Sequence, residues 1–245
     1  MPAFDQLRVR LIQIRERPDV LQEEVGSFLE RCRLRSDQLV TTNALTEPLS
    51  PALLDDVDAL MIGGAGAYSV TRTYPWTDDL IGLVQACHDR ATPLFGSCWG
   101  HQFIARAFGG TVINDPTRSE MGTREVELTE AGVSDPLFRD FPRRFAAQMG
   151  HQDRVSVLPA GAVELARNPI APFQAFRIAD RPIYGTQFHS ELDVERERQR
   201  LVAYRAHYPE MKDDGTFAAT INALRETPDV DDLLYTFLQR FAVKD

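Results

Sequence analysis

The sequence has few cysteines, and only Cys32, Cys87 and Cys98 occur among its 245 residues. Three cysteines without paired spacing neither build a disulfide framework nor supply the ligands of a structural zinc site. Cys32 and Cys87 stand at apolar positions of predicted helices, where a free cysteine commonly packs as a small hydrophobic side chain. Cys98 differs from both, because glycines lie two residues to either side of it.

Long apolar runs are also missing. No stretch reaches the roughly 18 apolar residues that a membrane-spanning helix needs. The first residues, MPAFDQLRVRLIQI, lack the basic region, apolar region and small-residue cleavage site of a secretory signal. We therefore expect a soluble protein of the cytoplasm that has no membrane partner.

Basic residues are fewer than acidic ones. Lys and Arg number 27 against 36 Asp and Glu, which leaves a formal net charge of −9. Nucleic-acid binding depends on basic contacts to phosphates, so we expect no nucleic-acid partner. Hydrophobic residues make up 43% and charged residues 26%. This ordinary globular mixture excludes a collagen-like or wholly disordered chain.

The apolar pattern changes character halfway along the chain. In the first half, predicted strands at 7–14, 38–43, 59–62 and 93–95 are separated by helical patterns. In the second half, strand-like segments follow one another at 124–129, 146–149, 154–158, 163–166, 173–178 and 183–188. Alternating strands and helices favour a parallel sheet covered on both faces. We therefore expect an α/β fold with an open, mostly parallel, flavodoxin-like sheet, helices on both faces, an antiparallel portion in the second half and C-terminal helices. Residues 209–215 are predicted to form a polar surface loop.

The segment Gly96-Ser97-Cys98-Trp99-Gly100 lies between a predicted strand and a predicted helix. Its Gly-x-Cys-x-Gly spacing is typical of a nucleophile elbow, where small neighbours let the strand and the helix approach each other closely. The N-terminus of the helix favours the thiolate and offers N–H groups to an oxyanion. An ordinary strand–turn–helix junction with a buried cysteine has the same pattern. The predicted strand and helix favour the nucleophile.

Five histidines are candidates for the base that such a cysteine requires: His88, His101, His151, His189 and His207. His88 and His207 are interpreted as structural, and His101 is expected to point away from the thiol. His189 follows an apolar strand, and in open α/β sheets functional sites gather at the carboxyl ends of strands. Glu191, two residues further on, can turn back to accept a hydrogen bond from the imidazole.

Two segments, GSCWGHQ at 96–102 and YGTQFHSE at 184–191, occur in an order and at a separation found in one enzyme family. Three shorter stretches agree with that family: MIGGAG at 61–66, EMG at 120–122 and GHQDRV at 150–155. Together they resemble class I (triad-type) glutamine amidotransferase domains, above all the glutaminase portion of GMP synthase and its stand-alone relatives. The resemblance covers roughly residues 9–191.

The resemblance implies a role for each matching residue. Cys98 would attack the side-chain amide carbon of glutamine, His189 would pass the thiol proton to the departing ammonia, and Glu191 would orient His189. The oxyanion would be bound by backbone N–H groups of Gly64, Ala65 and Trp99. The substrate would be held by Gln102, Gly150, His151 and Gln152. A γ-glutamyl thioester would form and water would release glutamate, with no cofactor and no metal site.

The sequence departs from the family pattern at three positions. Ser190 replaces a proline, Thr123 stands where relatives often have tryptophan, and Gln152 replaces a glycine. We expect residues 1–192 to form the glutamine amidotransferase domain and residues 193–245 to form a helical extension packed on the same domain.

Three functions fit these residues. The leading one is a glutaminase that releases ammonia and glutamate, either unaided or for a separate synthetase or acceptor subunit, because the chain has no phosphate-binding loop for ATP. The second is a γ-glutamyl peptidase that cleaves larger γ-glutamyl amides with the same triad. The third is a catalytically silent regulatory or binding subunit. A different enzyme family that also has a cysteine at a strand-to-helix elbow is disfavoured. Its members tend to have histidine directly after the cysteine, and this sequence has Trp99 at that position.

Overall fold

A computed structural model describes residues 3–243 of the chain. The strands are β1 (Val9–Gln13), β2 (Leu39–Asn43), β3 (Ala59–Ile62), β4 (Leu94–Ser97), β5 (Thr111–Asn114), β6 (Glu120–Leu128), β7 (Arg144–His151), β8 (Asp153–Val157), β9 (Ala162–Arg167), β10 (Ala175–Ile178) and β11 (Ile183–Thr186). The α-helices are α1 (Pro18–Cys32), α2 (Thr77–Arg90), α3 (Trp99–Ala107), α4 (Glu130–Ser134), α5 (Val194–Tyr204), α6 (Asp214–Asn222) and α7 (Leu233–Phe241). None of these helices is both long and apolar enough to cross a membrane.

The main sheet has nine strands in the order β2-β1-β3-β4-β11-β10-β9-β6-β7. The strands from β2 to β11 in this order are parallel, and the strands from β11 to β7 pair antiparallel. The order of the first four strands is the flavodoxin-like one. The predicted α/β fold, with a parallel sheet extended by an antiparallel part, is confirmed.

Helices cover both faces of the sheet, and each face has its own core. Helices α1 and α7 pack in one core, and helices α2 and α3 pack in the other. Along β1, Val9 and Leu11 belong to the first core and Ile12 to the second, because successive side chains of a strand point to opposite faces. Burial on both faces explains why the central strand β3, ALMI, is apolar throughout.

The last helix completes the first core. Leu233, Leu234, Phe237 and Leu238 of α7 are fully buried. Each such side chain contributes roughly 1.5–3 kcal/mol through burial. The C-terminal residues therefore contribute directly to the stability of the sheet.

The segment predicted as a surface loop is folded. Residues Pro209–Lys212 form a short 3-10 helix, and α6 begins at Asp214. Met211 is buried and packs with Met121 and Leu201 in a small third core. The prediction of a loop was wrong because this segment packs on a distant strand, which local polarity does not reveal. The sequence pattern also missed β5, which pairs with β8 in a separate two-stranded sheet.

Candidate active site

The turn between β4 and α3 holds Cys98 in an unusual backbone conformation. Its φ is 48° and its ψ is −96°, and a positive φ in a non-glycine residue is rare and strained. The Cys98 N–H donates to the carbonyl of Thr186 at 2.8 Å, and its carbonyl accepts from the N–H of Gln102 at 3.2 Å. These two bonds hold the strained residue between the sheet and the helix.

The glycines of the elbow are required by close approach. A Cβ on Gly96 would lie 2.5 Å from the carbonyl carbon of Gly100. A Cβ on Gly100 would lie 2.4 Å from the carbonyl oxygen of Ile62 on β3. The small neighbours that the Gly-x-Cys-x-Gly spacing predicts are therefore the contacts through which α3 packs on the sheet.

His189 and Glu191 lie at the carboxyl end of β11, the parallel neighbour of β4. The Nδ1 atom of His189 is 2.6 Å from Oε1 of Glu191, and the hydroxyl of Ser97 donates to Oε2 of Glu191 at 2.7 Å. The other ring nitrogen, Nε2, lies 3.8 Å from where a Cβ of Gly150 would stand. The carbonyl of Gly150 is in turn 3.8 Å from Sγ of Cys98. The structure thus brings together the three residues that the sequence predicts as a triad.

The electrostatics of this group favour charge separation. Burial lowers the pKa of His189, but the charges of Glu191 and Cys98, with a hydrogen bond to Cys98, outweigh burial and raise it well above its usual 6.5. Burial raises the pKa of Glu191, but the charge and hydrogen bond of His189, with the hydrogen bond from Ser97, lower it to about 2. The arrangement can hold an imidazolium beside the sulfur, the environment that favours a thiolate.

Glu191→Gln is expected to reduce turnover and to change the pH dependence of stability. The pKa of Glu191 falls from 4.5 to about 2 on folding, which corresponds to about 3 kcal/mol. Because this pKa is lowered, the stabilisation is present above pH 4.5 and is lost as the pH falls toward 2. The raised pKa of His189 acts oppositely: its contribution is full below pH 6.5 and is lost as the pH rises through the folded value.

Urea unfolding of both proteins between pH 6 and pH 3 measures the contribution of Glu191. The stability difference between wild type and Glu191→Gln should shrink toward pH 3. Glu195→Gln, a neutralisation of an exposed carboxylate on α5, serves as the matched control. A difference that stays constant over this range would contradict the ionised pair.

A cavity of about 290 Å³ opens over Cys98. Six further predicted site residues line it: Ala65, Trp99, Gln102, Gly150, His151 and Gln152. Gly64 lies beside His189, since a Cβ on it would stand 3.2 Å from Cε1 of His189. Cys98 and six other predicted site residues therefore line one cavity, and Gly64, His189 and Glu191 lie outside its lining.

Backbone N–H groups suited to an oxyanion lie on two sides of Cys98. Among residues 3–243, the N–H groups of Gly64 and Ala65 donate no hydrogen bond. Trp99 is the first residue of α3, and the first N–H groups of a helix have no partner within the helix. The glycine turn after β3 and the start of α3 thus both offer free donors near the thiol.

The predicted substrate-binding side chains are held by the protein itself. The ring of His151 is buried between Oε2 of Glu120, at 3.2 Å, and the carbonyl of Asp153, at 3.1 Å. Gln102 donates from Nε2 to the carbonyl of Asp153 at 2.7 Å, and Gln152 donates from Nε2 to the side-chain carboxylate of Glu210 at 3.0 Å. These side chains shape the cavity by fixing the end of β7 and the connection to β8 at Gln152.

Gln187 is a site residue that the sequence reasoning missed. Its buried amide nitrogen donates toward Sγ of Cys98 at 3.7 Å, and its amide oxygen accepts from Gln102 at 3.1 Å. A donor aimed at the sulfur stabilises the thiolate. The signal was available, because Gln187 stands two residues before His189 in the QFH segment.

The C-terminal extension contributes to the cavity. His207 and Tyr208 line it, and the Tyr208 hydroxyl donates to the carbonyl of Gly150 at 3.1 Å. The sequence indicates only a structural role for His207, because its position carries no motif. Residues that follow the predicted domain boundary thus form part of the wall over Cys98.

The departures from the family pattern have local explanations. The Thr123 hydroxyl donates to Oε1 of Gln148 at 2.9 Å. The same hydroxyl accepts from the N–H of Arg225, which lies in the segment before α7. Ser190 is buried. The bond from Ser97 holds Glu191 in place of the rigidity that a proline gives to this turn.

A family model described as glutamine amidotransferase class-I matches residues 28–207. GMP synthase from Thermosipho africanus is 33% identical over 134 residues, covering 55% of this chain and 24% of that protein. A glutamine-hydrolyzing GMP synthase subunit from Pyrococcus abyssi is 38% identical over 100 residues, covering 41% of this chain and 51% of that protein. The corresponding subunit from Methanothermobacter thermautotrophicus is 31% identical over 156 residues, covering 64% of this chain and 77% of that protein. The chain thus matches about a quarter to three quarters of the length of these relatives.

Solved structures with the same fold extend the likeness over nearly the whole chain. A glutamine amidotransferase from Methylobacillus flagellatus has a TM-score of 0.72 at 21% identity, covering 97% of this chain and 96% of that one. A glutamine amidotransferase from Thermotoga maritima has a TM-score of 0.68 at 22% identity, covering 97% of this chain and 99% of that one. The fold therefore includes the C-terminal helices.

Proposed function

The chain belongs to the class I glutamine amidotransferase family, and we propose that it hydrolyses the side-chain amide of glutamine to glutamate and ammonia. One observation carries the proposal. Cys98, on the turn before α3, lies beside a His189–Glu191 pair joined at 2.6 Å, under a cavity lined by the predicted site residues.

In the first half of the proposed reaction, Sγ of Cys98 bonds to the amide carbon of glutamine. His189 takes the thiol proton and passes it to the amide nitrogen, the C–N bond breaks, and ammonia leaves. Free N–H groups of Gly64, Ala65 and Trp99 stabilise the negative oxygen that forms, and each such donor is typically worth about 10²–10³ in turnover.

In the second half, water attacks the γ-glutamyl thioester. His189 accepts a proton from the water and returns one to the sulfur, and the S–C bond breaks to release glutamate. Glu191 keeps the Nδ1–H of His189 oriented, so that Nε2 serves the reacting atoms in both halves.

Arg72 is the arginine that lines the 290 Å³ cavity, and we expect it to bind the α-carboxylate of the substrate. Arg72→Gln should raise KM for glutamine by about tenfold, because a charge-assisted hydrogen bond is lost, and should change kcat little. Arg139→Gln, at an exposed position away from the cavity, is the control. An unchanged KM in Arg72→Gln would remove this residue from the binding site.

We propose that the chain acts without a partner. In the described part of the predicted extension, Tyr208 lines the cavity over Cys98 and donates to the carbonyl of Gly150 at 3.1 Å. Arg15, beside Gly64, donates to the Tyr204 hydroxyl at 3.0 Å, so the glycine turn is held from within the chain. Two of the relatives are named as subunits of GMP synthase, which makes a separate synthetase partner the alternative. A reactive Cys98 also fits the reducing cytoplasm.

An assay of the purified chain decides between these cases. Ammonia and glutamate should appear from glutamine at about 1–10³ per second, the usual range for enzymes. Turnover far below one per second on glutamine and on larger γ-glutamyl amides would contradict an independent hydrolase. Faster turnover of larger γ-glutamyl amides than of glutamine would instead support a γ-glutamyl peptidase.

A further inference from the structure

The segment between β3 and α2, residues 63–76, forms one wall of the cavity over Cys98. It contains no helix or strand, and loops of this length inside a compact domain are often functional. Tyr68 and Arg72 of this loop line the cavity. Arg72 is exposed, so the path of the loop backbone decides where its guanidinium stands. The groups that hold this backbone therefore matter for any substrate group that Arg72 binds.

One side chain of α3 is bonded to the loop at three points. Nη1 of Arg106 donates to the carbonyl of Val70 at 2.6 Å and to the carbonyl of Arg72 at 2.5 Å. Nη2 of Arg106 donates to the hydroxyl of Thr73 at 2.9 Å. A guanidinium presents its donors in a rigid fork, which suits it to hold several acceptors at once. Arg106 therefore fixes the backbone of residues 70–73, including that of Arg72 itself.

A carboxylate at the start of β8 holds the same loop. Oδ2 of Asp153 accepts from the N–H of Val70 at 3.0 Å and from the hydroxyl of Ser69 at 2.6 Å. The other oxygen, Oδ1, accepts from the side-chain amide of Asn114 at 2.8 Å. The loop is thus bonded to β8 through Asp153 and to α3 through Arg106, at neighbouring positions of its backbone.

The helix that carries Arg106 also positions the nucleophile. Helix α3 begins directly after Cys98, and Arg106 lies near its other end, about 12 Å further along the axis at about 1.5 Å per residue. One helix therefore sets the place of the sulfur and, through Arg106, the place of the loop that carries Arg72. The spacing between the thiol and the Arg72 guanidinium depends on this link.

We propose that Arg106 is a positioning residue for substrate binding, which holds Arg72 at a fixed distance from Cys98. The inference rests on the proposed function, in which Arg72 binds the α-carboxylate of glutamine and Cys98 attacks its side-chain amide. A substrate bound at both ends needs these two groups to keep their spacing. Where a loop takes up other positions, the apparent affinity falls with the fraction of molecules that are competent to bind. Arg106 is not among the residues that line the cavity, so it acts through Arg72.

The kinetic constants of Arg106→Gln test this role. KM for glutamine should rise by about tenfold, as in Arg72→Gln, because the loop no longer presents the guanidinium. The kcat should change little, since the triad is untouched. Arg90→Gln is the matched control, because it removes an exposed arginine at the end of α2 that pairs with Asp55. KM should be unchanged in this control.

A double-mutant cycle shows whether Arg106 acts through Arg72. In the Arg72→Gln background, the further change Arg106→Gln should alter KM by less than about twofold, because no guanidinium is left to position. A second, independent tenfold rise in KM would overturn the inference, since Arg106 would then affect binding by another route.

Trypsin measures the hold on the loop without reference to catalysis. Trypsin cleaves after arginine, and a protease needs the surrounding backbone to open locally. Cleavage after Arg72, identified by mass spectrometry, should be at least about tenfold faster in Arg106→Gln than in the wild type or in Arg90→Gln. Cleavage after Arg118, another exposed arginine, should keep its rate. Equal rates after Arg72, or an equal acceleration after Arg72 and Arg118, would overturn the inference.

The outcomes separate the two proposals. Glutamine turnover with an unchanged KM in Arg106→Gln would overturn the positioning role and leave the proposed function intact. Absence of wild-type turnover on glutamine and on larger γ-glutamyl amides would instead overturn the proposed function, and with it the role in substrate binding. The trypsin experiment would still show whether Arg106 holds the loop.

Discussion

Cys98→Ala is expected to reduce glutamine turnover by about 10⁶-fold, the order of effect found when the nucleophile of a catalytic triad is removed. No other thiol can replace it. Cys32 and Cys87 are fully buried on the two faces of the sheet, and burial raises the pKa of both. Steady-state release of glutamate measures the loss, and urea unfolding should show that the variant remains folded.

Covalent labelling provides the control for this result. A glutamine-like diazo-ketone should modify Cys98 in the wild type, and mass spectrometry should find Cys32 and Cys87 unmodified. Cys87→Ala should keep both labelling and turnover. Adducts located mainly on Cys32 or Cys87, or turnover that survives in Cys98→Ala, would show that another residue is the nucleophile.

Gly100→Ala is expected to destabilise the protein by about 3 kcal/mol or more, because inserting a methyl group into a closed contact forces the backbone to shift. The new Cβ would lie 2.4 Å from the carbonyl oxygen of Ile62. Ile62 ends β3 and directly precedes the glycine turn that carries Gly64 and Ala65. We therefore expect turnover to fall with stability, since relieving the contact displaces the oxyanion donors.

Gly82→Ala is the matched control. Gly82 lies inside α2, and nothing stands within 4 Å of the position of its Cβ. The same substitution there should stabilise the protein by up to about 1 kcal/mol, because alanine favours a helix more than glycine does. Urea unfolding of both variants gives the comparison. Equal stabilities would mean that the close contact of α3 with β3 is not required.

The parts of the site that follow local rules were predictable from the sequence. The strand at 59–62 has the bounds that the apolar pattern indicates. The glycines around Cys98 predict an elbow because no larger residue fits there. The proximity of His189 to Cys98 follows from the rule that parallel strands bring their carboxyl ends to one edge.

The contribution of the extension was not predictable in this way. Tyr208 reaches the cavity through packing of α5 and the following 3-10 helices against β6, and this packing joins residues that are far apart in the chain. The local sequence is polar and charged, which is also typical of a solvated surface. Gln187 was missed for another reason: the QFH segment marks its position, but only the fold shows that its buried amide points at the sulfur.

The parallel pairing of β4 with β11 has a consequence for how the protein comes into being. Ser97 and Glu191 are bonded across 94 residues of chain, and contacts so distant in sequence form late because a long loop must first be closed. During synthesis Cys98 therefore emerges well before His189, its proposed base. We therefore expect the nascent chain to carry an ordinary thiol and to gain nucleophilic reactivity only when the second half of the sheet has docked. A ribosome-stalled chain ending before residue 183 should accordingly resist the diazo-ketone, whereas the released protein should react.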